Sequence, residues 1–152
     1  MRKLFVFLAL ILLSGSALAF DVVDSGGHRH TLADYKGKWV LVNFWATWCP
    51  PCREEIPDLV ALHDDKRNNL VVIGIAMDYR DTKEVTSFAN SMLIDYPIVF
   101  GTDKVTSQFK SIRGLPTSYL YNPEGKMVAY NVGALSKEAV ENYITQNGKQ
   151  TQ

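Results

Sequence analysis

Trp39-Val40-Leu41-Val42-Asn43-Phe44-Trp45 is a near-continuous run of apolar, β-forming residues, and Ala46-Thr47-Trp48-Cys49-Pro50-Pro51-Cys52 follows it directly. A run of this length without alternation reads as a strand buried on both faces, the pattern of a central strand covered by helices. From Pro50 the period changes. Ile56, Leu59, Val60, Leu62 and His63 recur at three- and four-residue spacings, which predicts a helix. Pro50 and Pro51 suit its first turn, where an N–H has no partner anyway, and Pro57 is expected to kink it. The two cysteines therefore stand where a central strand ends and a helix begins, the place where α/β sheets put their chemistry.

Outward from this stretch, Leu70–Met77 reads as a second buried strand and Thr82–Ser91 as a helix capped by Thr82. Ile98–Phe100 is a short strand, and a short helix is expected from Asp103 to about Lys110. Thr117–Tyr121 and Lys126–Val132 flank Asn122-Pro123-Glu124-Gly125, a hairpin turn signal. Ser136 caps a last helix reaching Asn147, with Gly148 as its C′ residue. Upstream, Phe20–Val23 and Arg29–Leu32 form a hairpin around Gly26-Gly27. Strands alternating with helices and closed by a hairpin give an α/β fold with a mixed sheet, in one domain without repeats.

The first nineteen residues are set apart. Arg2 and Lys3, the apolar run Leu4–Leu13 and the small-residue sequence Ala17-Leu18-Ala19 have the build of a cleaved secretory signal. The apolar run is short for a membrane span, which takes about 20 residues; an uncleaved anchor is the alternative. The mature domain, 20–152, is slightly acidic, and the protein is expected in the periplasm. The whole chain of 152 residues is 47% hydrophobic and balances 16 basic with 16 acidic side chains. Disorder is excluded by that apolar content. Nucleic-acid binding is excluded because no surplus of cations faces the phosphates.

Outside the cytosol a close cysteine pair oxidises readily. Cys49 and Cys52 would close a loop so short that the bridge stabilises the fold little, so chemistry explains the pair better than structure does. Helix N-terminal N–H groups and the helix dipole favour a thiolate at Cys49. Cys52, one turn in, can attack a mixed disulfide formed there.

Asn43–Cys52 resembles the active site of the thioredoxin superfamily, and Ile112-Arg113-Gly114-Leu115-Pro116-Thr117 resembles the loop that carries that family's cis-proline. Arg53-Glu54-Glu55-Ile56-Pro57 and the extra helix–strand unit between about Asp78 and Thr102 resemble the exported TlpA/ResA/CcmG branch. The resemblance covers essentially all of the mature chain and implies a thioredoxin-like fold with an N-terminal hairpin and a central helix–strand insertion. It further implies a redox disulfide Cys49–Cys52, with Cys49 as the exposed attacking thiol and Cys52 as the resolving one. Pro116 would be cis, Leu115 would pair its backbone with an extended substrate segment, and Trp48 would flank the thiol as docking surface. Ordinary thioredoxins have a buried Asp where this chain has Asn43, which cannot titrate. Glu55, at i+3 from Cys52, matches the glutamate that stands in for it.

The other polar residues have plainer readings. Glu54 is an N-terminal-turn acid favoured by the dipole. Trp39, Phe44, Trp45 and Tyr119 belong to the core. His28 and His30 are solvated on a hairpin and His63 ends a helix, so none is read as a metal ligand. The expected activity is protein-disulfide reduction without a cofactor, by a monomer. Its partners would be disulfide-containing proteins, such as apocytochrome c or a maturation factor, and a membrane thiol donor would recharge it. An oxidant or isomerase of the same fold is the alternative. A copper module on Cys49 and Cys52 ranks below both, because no histidine stands in the Leu115 loop. A peroxidase would carry Thr at position 46, where this chain has Ala46.

Overall fold

The computed structural model describes residues 20–148; the expected signal segment lies outside the described residues. Seven strands and four α-helices follow one another as β1 (Asp21–Val23), β2 (Arg29–Thr31), β3 (Trp39–Trp45), α1 (Pro50–Asp64), β4 (Leu70–Ala76), α2 (Thr82–Ser91), β5 (Ile98–Phe100), α3 (Asp103–Thr106), β6 (Thr117–Tyr121), β7 (Met127–Val132) and α4 (Lys137–Gly148). Five strands form a mixed sheet in the order β5-β4-β3-β6-β7, with β3, β4 and β5 parallel and β6 and β7 antiparallel to their neighbours. β3 is central and all seven of its residues are buried, as its unbroken apolar run requires.

Strand alternation assigns those seven residues to two different cores. Val40, Val42 and Phe44 point into a cluster with Phe20, Val22, Leu32, Phe109 and Tyr119. Trp39 and Leu41 point the other way, onto Leu59 and Leu62 of α1 and Val140 and Ile144 of α4. Trp45 continues that second face among Ile56 of α1 and Val85 and Ala89 of α2. Asn43, between Leu41 and Trp45, is thereby aimed at α1. Gly74 lies opposite Asn43 in the β3–β4 register. A Cβ there would come within 2.9 Å of both the Trp45 and Tyr96 rings, so only glycine lets these aromatics close over the strand.

The hairpin β1–β2 docks on the free side of β5, through an Asp24–Val99 bridge and a Ser25 N–H donating to the Ile98 carbonyl at 2.7 Å. It thus covers an edge that would otherwise be open to pairing with another chain. The turn Asn122–Gly125 closes with the Gly125 N–H on the Asn122 carbonyl at 2.8 Å, and Gly125 takes φ of 77°.

Several local expectations are corrected. α2 is capped by Asp81, whose carboxylate accepts from the Glu84 N–H at 2.8 Å; Thr82 is its first helical residue. α3 stops at Thr106 instead of Lys110, because Phe109 turns into the core against Phe20 and Phe44. Gly148 is helical and is not a left-handed cap. His63 is half-buried and its Nδ1 accepts from the Val72 N–H at 3.1 Å, tying α1 to β4. His30 is also largely buried, between Tyr35 OH and an Asp24 carboxylate oxygen at 2.9 Å, and only His28 is solvated.

Candidate active site

Cys49 is the N-cap of α1, and Pro50 and Pro51 occupy the first two helical positions. Of the N–H groups that a helix start leaves without intrahelical partners, two are missing at the prolines. The Cys49 N–H is taken by the Ala46 carbonyl at 3.2 Å. Only the Cys52 N–H remains to face a charge on the Cys49 sulfur. Glu54 lies in the second turn, exposed, and the first turn holds no acid. Its dipole role is therefore smaller than the sequence suggests, since the dipole's influence fades beyond the first turn.

Cys49 and Cys52 are disulfide-bonded, with Cα atoms 5.3 Å apart. The reading of Cys49 as an exposed thiol needs correction: it keeps 2% of its accessible surface, and Cys52 keeps none. Both pack with Trp45, Ala46 and Ile56, and Leu115 closes over that cluster. Trp48 is the exposed member of the motif at 60%, its indole N–H donating to the Asp78 carbonyl at 3.3 Å. Asp78 has φ of 50°, a left-handed conformation that Asp tolerates better than most residues. Thr47 donates to Glu84 of α2. The approach to Cys49 is therefore tethered on the α2 side.

The Leu115–Pro116 peptide bond is cis, as expected. Its loop is fastened at both ends: Tyr119 OH meets the Ser111 backbone, Thr117 OH donates to the Gly114 carbonyl at 2.7 Å, and the Gly133 N–H donates to the Pro116 carbonyl at 2.9 Å. Among the described residues the Leu115 N–H and C=O have no hydrogen-bond partner. A groove of about 560 Å³ runs from Leu115 along Arg113, Lys110 and Asp78.

Glu55 is 2% exposed. Asn43 Nδ2 donates to its Oε1 at 2.7 Å, and the Leu135 N–H donates to its Oε2 at 2.8 Å. Burial pushes its pKa up to about 7, although the Leu135 and Asn43 donors favour the charged form. Asn43 also donates to Ser118 Oγ at 3.0 Å. Sequence reasoning found Asn43 and Glu55 but missed Ser118 and the Leu135 backbone. Ser118 becomes visible only through the β3–β6 register, which sets it opposite Asn43; a backbone donor eighty residues away leaves no sequence signal. Among the described residues no three His, Cys, Asp or Glu side chains converge as a metal site.

The AhpC/TSA family model matches residues 14–130. The thiol-disulfide oxidoreductase ResA of Bacillus subtilis is 34% identical over 126 residues, covering 82% of this chain and 70% of that protein. ResA of Geobacillus kaustophilus is 31% identical over 135 residues, 88% of this chain and 77% of that protein. Among solved structures, a thioredoxin-family thiol:disulfide interchange protein from Chlorobium tepidum aligns with a TM-score of 0.77 and 32% identity, over 86% of this chain and 93% of that one. A buried disulfide at a helix start, a cis-proline loop closed over it, and these relatives converge: the chain belongs to the AhpC/TSA family and is a thiol-disulfide oxidoreductase of the ResA kind.

Proposed function

We propose that the protein is a reductant of disulfides in exported proteins, acting in the periplasm after cleavage of the segment before Phe20. In this reading the Cys49 thiolate attacks a substrate disulfide, forming a mixed disulfide and expelling one substrate thiolate. Cys52 loses its proton to Glu55 and attacks the Cys49 sulfur. The second substrate thiolate leaves, and two electrons have passed from the protein to its substrate. Trp48 and Leu115 would seat the substrate, the unpaired Leu115 backbone accepting an extended segment as an added strand. Substrates in cytochrome c maturation, either the apocytochrome itself or a maturation factor, fit this chemistry. A membrane thiol donor would restore the dithiol.

The observation that carries the direction is the start of α1, where prolines at both first positions leave one N–H for the Cys49 sulfur. A poorly stabilised thiolate makes a less oxidising disulfide. The negative charge that Glu55 carries when ionised, one turn beyond Cys52, works in the same sense. Trapping tests the division of labour: Cys52→Ser is expected to accumulate mixed disulfides through Cys49 in the exporting cell. Equal trapping by Cys49→Ser would reverse the two roles. Differential alkylation should find the wild-type pair mostly reduced while its donor is intact, and a fully oxidised pair would favour an oxidant.

A further inference from the structure

The two groups that hold Glu55 differ in kind. The Leu135 N–H can only donate, whereas the Asn43 amide can donate from one side or accept on the other. As it stands, Asn43 Nδ2 gives hydrogens to Glu55 Oε1 at 2.7 Å and to Ser118 Oγ at 3.0 Å, while its fully buried Oδ1 meets no donor. That orientation suits an ionised Glu55, which offers only acceptors. A protonated Glu55 has a hydrogen to give, and the amide can take it only by turning half round. Oδ1 would then accept from the Glu55 carboxylic acid and from the Ser118 hydroxyl together. Ser118 serves either orientation because a hydroxyl accepts in the first and donates in the second. The sheet register keeps it directly opposite Asn43, and both are buried.

We propose that Ser118 is a positioning residue that acts through Asn43, presenting Glu55 with a donor when ionised and an acceptor when protonated, and so setting where Glu55 releases its proton. The proposal rests on Glu55 taking the Cys52 proton, as above. No proton moves onto Asn43 or Ser118; the amide only turns. The groups around Glu55 are few. Cys52 lies on its own helix and Cys49 at that helix's N-cap, Asn43 on β3, Ser118 on β6 and the Leu135 N–H before α4. Tyr96, before β5, feels the charge of Glu55: its phenol is held above the ordinary value by burial and then by that charge. Among the described residues no basic side chain pairs with Glu55.

The sign follows from what Ser118→Ala removes. With Glu55 ionised, an Asn43 N–H loses its acceptor and is stranded, the costlier kind of loss. With Glu55 protonated, the Asn43 carbonyl loses one of two donors and keeps the other. The ionised state suffers more, so the Glu55 midpoint should rise, by about half to one pH unit for one hydrogen bond. The test is a carboxyl ¹³C NMR titration of Glu55 in the full chain with its disulfide intact. Expected results are the upward shift in Ser118→Ala and a wild-type midpoint in Ser118→Thr, which keeps the hydroxyl. The Asn43 side-chain amide signals should move with the Glu55 midpoint and stop moving in Glu55→Gln. An unchanged midpoint in Ser118→Ala, no rescue by Thr, or Asn43 signals indifferent to the Glu55 proton would each overturn the proposal. Because the titration uses no substrate, failure of the Glu55 redox role is read separately, as wild-type peptide-disulfide reduction by Glu55→Gln.

Discussion

At the residue scale, the proposed proton transfer rests on Glu55. A carboxyl with its pKa near 7 is poised to exchange a proton with a thiol at working pH. Glu55→Gln keeps the shape and one accepting oxygen, exchanges the other for an NH2 donor and removes the charge. Both active-site thiols should become more acidic, and the step that deprotonates Cys52 should slow, commonly by 10²–10⁴ for loss of a general base. Thiolate absorbance against pH, with stopped-flow reduction of a disulfide peptide, measures both effects; unchanged thiol titration would reduce Glu55 to a structural acid. Stability gives an independent readout. The folded pKa is raised above the unfolded value of 4.5. The stabilising contribution is therefore complete below about pH 4.5 and is lost as pH rises through about 7. The loss is on the order of 3 kcal/mol. Denaturant unfolding of Glu55→Gln across that window should be flatter than wild type by about this amount.

At the scale of elements, the proposed redox direction rests on the start of α1. Pro51→His would restore an N–H at the second helical position and add a side chain that can carry positive charge beside the Cys49 sulfur. Both changes favour the thiolate, so the Cys49 pKa should fall and the disulfide should become more oxidising, by tens of millivolts, about 30 mV for each factor of ten in equilibrium constant. Titration with a glutathione buffer checks it, and an unmoved or more reducing potential would show that the missing N–H groups do not set the balance. Most of this element was legible. The strand-to-helix change of period at Trp45–Pro50 located the cysteines, and the two prolines sat at the helix start as their chemistry predicts. Burial of Cys49 was not legible, because the residue that closes over it, Leu115, comes from a loop sixty-six residues on whose approach depends on the sheet order. His30 was misread for the same reason: a histidine beside glycines looks solvated until the hairpin pairing brings Asp24 to it, and His63, at the helix end as read, meets the Val72 N–H only through the packing of α1 on β4.

Across the whole molecule, the sheet joins parts that the chain keeps far apart. β3 carries Asn43, β6 brings Ser118 and the cis-proline loop beside it, and the segment before α4 delivers the Leu135 N–H. Strand and helix identity, element order and the N-terminal hairpin all followed from periodicity and turn chemistry; the docking of that hairpin on β5 did not. Which residues meet around Glu55 depended on register and on a backbone donor, neither of which composition records. The short disulfide should add little chain-entropy stabilisation. Redox direction and global stability are nonetheless linked, since strong oxidases draw their power from a stabilised reduced form. The oxidised protein here should unfold at an equal or higher denaturant concentration than the reduced one, and a clearly more stable reduced form would point to an oxidant. The most direct test is the reduction potential of the Cys49–Cys52 pair, measured on the purified protein by equilibration with a dithiol of known potential. A reductant of the proposed kind should lie below about −200 mV, toward the thioredoxin end of the scale; a value near −120 mV, that of the strong periplasmic oxidases, would contradict it.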